Sequence, residues 1–321
     1  MNLDKVPLFI GCDWGSSNFR MALLTASGIP CSEYADGGGI VTLRTNGTDT
    51  NGLVEHLRQG LSRLEATVGG SLETYPLFIS GMAGSSIGIV EVPYAPVPFS
   101  VDGSDAVVHG PSMLDGIPNR VRIVSGVCTP EDVMRGEETE AMGLMSMLGM
   151  DAALLILPGT HSKHIEISAG RIRSFRTYMT GEIFRVISGQ TILARSMTDS
   201  GGDTFDPDDR RCFIEGVELS GRKDLLHSLF TLRSRTLLEG MPVKGNIHRL
   251  SGLLIGEELR SIHNLPEFPV ILGGSGVLHE LYKTALELIL PGLKVPDMTG
   301  LLYTQAVWCG QAVFNRDAEP Y

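Results

Sequence analysis

Apolar residues open the chain in short blocks. Leu8-Phe9-Ile10 runs into Gly11-Cys12-Asp13, a polar turn follows from Trp14 to Asn18, and a second apolar block covers Phe19 to Leu24. Blocks of this length around a Gly-Ser turn predict strand, turn, strand. Leu53, Val54, Leu57, Leu61, Leu64 and Val68 then recur at helical spacing between Asn51-Gly52 and Gly69-Gly70, which predicts an amphipathic helix. Leu77 to Ile79 reads as a further strand, ending in a glycine-bearing loop, Ser80 to Ser85.

The opening pattern returns later. Ala152 to Leu157 is apolar, Pro158 to Lys163 is a polar turn, and His164-Ile165-Glu166-Ile167 alternates like a half-buried strand. One structural unit present twice is therefore expected, on pattern rather than on identical letters, with a chance likeness of two hairpins as the alternative. Helices are predicted at Gly181 to Met197, Arg210 to Leu219, Asp224 to Leu238 and Arg249 to Ile262. Pro269 to Leu272 is a strand, Gly273-Gly274-Ser275-Gly276 a turn free of bulky side chains, and Val277 to Leu290 a helix. No low-complexity stretch or long linker intervenes. The expected division is a lobe at 1–150, rejoined by a final helix at 300–316, and a lobe at 151–299, sharing a cleft that closes over its ligands.

Composition narrows the function. With 321 residues and 42% hydrophobic content the chain can bury two cores without disulfide or metal staples. Cys12, Cys31, Cys128, Cys212 and Cys309 are scattered and odd in number, as expected of a reducing, cytoplasmic setting. Met1 to Lys5 carries no secretory pattern, and no apolar run is long enough to span a membrane. A formal charge of −11 disfavours nucleic acid and anionic lipid as partners. Arg171, Arg173 and Arg176, beside Ile172 and Phe175, read as the wet face of a strand.

Neither a P-loop nor a dinucleotide fingerprint is present, so phosphate binding needs other turns. Gly15, Ser16 and Ser17 offer backbone N–H groups and small hydroxyls to a phosphate, and Asp13 just before them can hold Mg2+, most simply through water. Gly159-Thr160 repeats this chemistry. Gly273-Gly274-Ser275 opens a helix and leaves room for a purine against the backbone. Read alone, each is also an ordinary turn.

Hairpin, hairpin and Gly-Gly loop, in that order, resemble the phosphate-one, phosphate-two and adenosine segments of the sugar kinase, actin and Hsp70 superfamily. Asp13-Trp14-Gly15-Ser16-Ser17-Asn18-Phe19-Arg20, Gly81-Met82-Ala83-Gly84-Ser85, Val133-Met134-Arg135-Gly136-Glu137-Glu138-Thr139, Leu157-Pro158-Gly159-Thr160-His161-Ser162-Lys163 and Met179-Thr180-Gly181-Glu182 resemble the 2-dehydro-3-deoxygalactonokinase family. The likeness runs from about Phe9 to about Gln311, with Ser17, Ala83 and Ser125 as departures from the usual letters. It implies an α/β, two-lobed, ribonuclease H-like fold with a duplicated mixed-sheet core and an interdomain cleft. It also implies ATP and Mg2+ as cofactors, and transfer of the γ-phosphoryl group to the 6-hydroxyl of 2-dehydro-3-deoxy-D-galactonate.

Within that resemblance Asp13, Gly15, Ser16, Ser17, Gly159, Thr160, Gly273, Gly274 and Ser275 fall to Mg-ATP. The general base is expected between the two hairpins, beside a threonine at a helix start; this makes Glu138 the first choice and Glu137 the second choice or its support. A solvated helix N-terminus is the plain alternative for both. Asn18, Arg20, Ser85, Arg135, His161 and Lys163 are the expected substrate contacts, with Arg135 the favoured partner of the acid's carboxylate, Arg20, Lys163 and His161 equally able to face ATP phosphates, and a salt-bridging surface role the plain alternative for the three cations Arg20, Arg135 and Lys163. His161, His164 and Glu166 lack the spacing of a zinc site. Trp14, Trp308 and the Met134, Met142, Met145, Met147 series read as packing. Rival readings are a kinase of the same fold acting on another hydroxy acid or ketose, and a nucleotide-binding sensor without catalysis.

Overall fold

The computed structural model describes residues 8–197, 205–222, 224–240, 243, 245–262, 268–293, 295–296 and 301–315. The chain forms two compact units, one of Met1–Ala152, Ile167–Phe175 and Leu301–Tyr321, the other of Ala153–Glu166 and Arg176–Gly300.

In the first unit β1 (Leu8–Trp14), β2 (Phe19–Thr25) and β3 (Pro30–Asp36) form an antiparallel meander. Helices α1 (Ile40–Thr45) and α2 (Thr50–Val68) lead to β4 (Leu77–Gly81), which lies parallel to β1. Short strands β5 (Ala95–Pro96) and β6 (Phe99–Ser100) follow, then the hairpin β7 (Val108–Leu114) and β8 (Ile117–Val124). The sheet order is β3-β2-β1-β4-β8-β7. Strands β9 (Val127–Cys128) and β10 (Val133–Met134) join β5 in a small sheet before α3 (Glu137–Leu148).

Because β1 is covered on both faces, it reads as an unbroken apolar run rather than an alternating one. Ile10, Cys12 and Trp14 pack with Leu53, Leu57, Leu61 and Leu64 of α2. The α2 helix begins where Asp49 accepts the Gly52 N–H at 2.8 Å and stops at left-handed Gly69. By contrast β3 alternates between half-buried and exposed positions, so no apolar block announced it.

The second unit repeats the plan. Its opening strands are β11 (Ala153–Leu157), β12 (Ser162–Ser168) and β13 (Arg171–Tyr178), of which Ile167–Phe175 groups with the first unit rather than with the expected 151–299 lobe, and after helices α4 (Thr180–Gln190), α5 (Pro207–Ser220), α6 (Leu225–Glu239) and α7 (Asn246–Leu259) comes β14 (Val270–Leu272), parallel to β11. The order β14-β11-β12-β13 reproduces β4-β1-β2-β3. The predicted duplication is therefore present in the topology. On β13 Ile172 and Phe175 are buried while Arg173 and Arg176 are exposed, as the basic cluster suggested. The helix expected from Gly181 to Met197 ends at Gln190, since extended Thr191 caps a separate 3-10 turn, Ile192–Ser196. The α5 helix starts before Arg210, where Asp206 and Asp209 cap one another reciprocally and Pro207 takes the first position. After β14 comes α8 (Gly276–Ile289), and its Leu281, Tyr282, Ala285 and Leu286 share a core with Phe213 of α5 and Ile255 of α7.

The last helix, α9 (Leu301–Asn315), belongs to the first unit; Gly300 and residue 316 of its expected span lie outside the described residues. Val307, Trp308 and Ala312 cover the Phe9 and Phe78 face of the sheet. Its backbone meets that of α3 closely enough that a Cβ at Gly143 or Gly310 would overlap the Ala306 or Thr139 carbonyl. That crossing fixes the start of α3.

Candidate active site

In the first unit the β1–β2 register places Asp13 opposite Arg20. Arg20 donates from Nε at 3.0 Å and from Nη2 at 2.6 Å, both to Asp13 Oδ2, and its guanidinium lies 5.6 Å from the Trp308 ring centre. The Gly15 N–H closes the turn on the Asn18 carbonyl at 2.9 Å. Ser16 is half-buried; Ser17 and Asn18 are exposed. The start of α1 braces this turn: Ile40 and Val41 donate to the Gly15 and Ser16 carbonyls, each at 3.0 Å. A Cβ at Gly39 would overlap the Ser17 backbone, so glycine is required there by close approach.

The second turn is braced in the same way. The Glu182 N–H donates to the Thr160 carbonyl at 3.0 Å, and a Cβ at Gly181 would stand 2.5 Å from the Gly159 oxygen. Thr160 and His161 are exposed, and His161 Nε2 meets Glu182 Oε2 at 2.5 Å. Lys163, expected at the substrate, is 3% exposed and donates to the His161 carbonyl at 3.0 Å. Its ammonium thereby braces the turn through that carbonyl. Gly273 is tied to the Ile156 carbonyl at 2.8 Å, and Gly274 lies against Pro158, so the Gly273-Gly274-Ser275 loop and the second turn are brought together.

Beside that turn lies a pocket of about 350 Å3. Phe184, Leu254, Ile255, Leu278 and Leu281 give it apolar walls, and Gly159, Thr160, Thr180 and Ser251 a polar end. Gly273, Gly274 and Ser275 are not in its lining; the helix they open supplies Leu278 and Leu281 instead. Sequence reasoning missed these walls, because isolated apolar residues on three helices look like any core face.

The two glutamates of α3 differ. Glu138 has no exposed surface; the Gly136 N–H donates to its Oε2 at 2.7 Å and the Thr139 hydroxyl to its Oε1 at 3.1 Å. Burial, and next the charge of Glu137, push its carboxyl up to about 8, with the backbone and Thr139 hydrogen bonds pulling the other way. Glu137 is half-buried and accepts the Arg135 N–H at 3.0 Å. The two glutamates thus differ in access and charge: Glu137 keeps accessible surface, whereas Glu138 is sealed and its carboxyl is pushed toward the neutral form.

Arg135 lies with its guanidinium carbon 4.1 Å from the Tyr94 ring centre and donates from Nη2 to the Val92 carbonyl at 3.0 Å. Its Nε and Nη1 are buried and have no hydrogen-bond partner among the described residues. A guanidinium stays charged in any protein, so these donors call for an anion or a water. Nη1 packs against Gly84, next to Ser85, whose hydroxyl donates to the Met82 carbonyl at 2.7 Å. Two further expected contacts, Ser85 and Arg135, are thus neighbours.

Among the described residues no three or more His, Cys, Asp or Glu side chains cluster to hold a metal ion. A single carboxylate beside the Gly15-Ser16-Ser17 turn, Asp13, paired with Arg20 through Oδ2, fits a Mg2+ held mainly by water and phosphate oxygens. No helix among the described residues is long and apolar enough to cross a membrane.

Residues 13–306 match the 2-keto-3-deoxy-galactonokinase family. The chain belongs to this family. It is 32% identical over 288 residues to a probable 2-dehydro-3-deoxygalactonokinase of Rhizobium meliloti (strain 1021), covering 87% of this chain and 89% of that one. Over 265 residues it is 29% identical to the 2-dehydro-3-deoxygalactonokinase of Escherichia coli (strain K12), covering 80% of each. The crystal structure of a protein assigned to the same activity from Sinorhizobium meliloti superposes with a TM-score of 0.79 at 29% identity, over 98% of this chain and 97% of that one. The kinase has the expected α/β fold of the sugar kinase, actin and Hsp70 group.

Proposed function

We propose that this kinase transfers the γ-phosphoryl group of ATP to the 6-hydroxyl of 2-dehydro-3-deoxy-D-galactonate. Family membership over most of the chain supports a sugar-acid kinase. The acid itself is supported by Arg135, a half-buried guanidinium beside Gly84 and Ser85, whose charge and planar fork suit a carboxylate. Tyr94 holds the guanidinium plane, and Ser85 borders the same corner.

Glu137 accepts the proton of the 6-hydroxyl as its oxygen bonds to the γ-phosphorus. The bond from that phosphorus to the β–γ bridging oxygen breaks, and its electron pair leaves with ADP. In the first unit the Gly15-Ser16-Ser17 turn binds phosphate oxygens, with Asn18 and Arg20 beside it; in the second Gly159 and Thr160 do so, with His161 at the turn's rim. The apolar pocket takes the adenine, and Gly273-Gly274-Ser275 sets the helix that walls it. Mg2+, held through Asp13, neutralises charge on the phosphates when bound.

A coupled ADP-release assay tests this, with Mg-ATP and the acid, the neutral analogue in which the carboxylate is reduced to an alcohol, or no acceptor. Wild type is expected to release ADP with the acid and to show a KM about ten- to a hundredfold higher for the analogue, while Arg135→Met brings the acid to a similar KM. Equal turnover of acid and analogue by wild type would remove Arg135 from the carboxylate. Release with neither, but with another hydroxy acid or a ketose, would change the acceptor.

A further inference from the structure

The nucleotide pocket rests on a buried polar cluster that the reaction does not use. Glu258, on α7, is 3% exposed and accepts from three side chains. His164 Nε2 lies 3.0 Å from Oε1, the Tyr282 hydroxyl 2.7 Å from Oε2, and the Thr180 hydroxyl bonds the same oxygen. Burial and the neighbouring Glu258 charge raise the Tyr282 phenol well above its usual value, so it keeps its proton and donates it. The fully buried Ser162 hydroxyl, 2.7 Å from the Tyr282 oxygen, must then be the donor in that pair.

These partners flank one turn. Ser162 and His164 lie at the start of β12, just after Gly159-Thr160-His161. Thr180 is the first residue of α4; its neighbours Gly181 and Glu182 are those that touch Gly159 and hold the Thr160 carbonyl. Thr180 and Tyr282 also line the pocket. One carboxylate on a third element therefore binds the strand side of the turn through His164 and, by way of Tyr282, Ser162, and the helix side through Thr180. A buried carboxylate is costly unless its oxygens are bonded, and one that is fully bonded fixes its partners in place.

We propose that Glu258 is a positioning residue of the nucleotide subsite, holding the Gly159-Thr160 turn and the Thr180 and Tyr282 pocket wall in the geometry that binds the ATP phosphates. The proposal rests on the kinase reading above and adds to it a residue that touches neither substrate.

Glu258→Gln keeps the shape but offers one acceptor oxygen and one amide donor, too few acceptors for three donors. It is expected to weaken ADP binding, read by calorimetry, and to raise the KM for ATP by about tenfold or more, leaving the KM for the sugar acid within about twofold. Thr180→Val reproduces the loss, and Thr180→Ser, which restores the hydroxyl, recovers most of it. Tyr282→Phe serves as the second probe if Glu258→Gln fails to fold. An equal rise in both KM values, or unchanged ADP affinity in folded Thr180→Val and Tyr282→Phe, overturns the proposal. Because ADP affinity needs no acceptor, a wrong acceptor fails in the assay while this test stands; a wild type that binds no ADP brings down both.

Discussion

Glu137→Gln lowers kcat by about a hundred- to ten-thousandfold, with ADP affinity and fold kept. The amide matches the carboxylate in shape and can still accept the Arg135 N–H, while the proton acceptor is lost. Glu138→Gln makes the contrast. At pH 7 the native Glu138 is mostly neutral, as an amide is, so this variant keeps kcat within about tenfold. Steady-state rates of the two variants at pH 7 decide the matter. A severe loss in Glu138→Gln with a mild one in Glu137→Gln would restore Glu138 as the base.

Glu138 should show itself in stability instead. Its carboxyl is held at about 8 in the fold against a reference value of 4.5, so the folded state binds more protons between those values. By linkage its contribution is fully present below about pH 4.5 and is lost as pH rises through about 8, a change of about 3 to 5 kcal/mol across that window. Glu138→Gln does not titrate; its side-chain oxygen can accept the Gly136 N–H while its amide donates to the Thr139 hydroxyl. Urea unfolding from pH 5 to pH 9 should show a shallower decline in the variant, which overtakes wild type at the alkaline end. Parallel curves would mean that Glu138 is not a buried, proton-holding carboxyl.

Much of this was legible in the letters. Apolar blocks around Gly-Ser turns located both hairpins, and their recurrence gave the duplicated sheet, because a strand buried on two faces leaves an apolar run that no loop imitates. What the letters could not hold was direction. Glu137 and Glu138 are adjacent and alike, yet one helical step leaves the first half-buried and the second without exposed surface. Lys163 reads as a cation beside the Gly159-Thr160 turn, but it lies in the fully buried first half of β12, where its ammonium donates to the His161 carbonyl. Glu258 is one of two neighbouring glutamates on a helix, and only packing against Thr180, His164 and Tyr282 singles it out. The pocket walls were hidden for the same reason: Phe184, Leu254 and Leu278 are far apart in sequence and converge through the fold.

The most direct test is the position of the transferred phosphate. After incubation with Mg-ATP and 2-dehydro-3-deoxy-D-galactonate, phosphorus–proton correlation spectra of the product should couple the new phosphorus to the C6 methylene protons, with ADP formed in equal amount. Coupling to another carbon's proton, or inorganic phosphate as the sole new phosphorus signal, would contradict a kinase of the 6-hydroxyl.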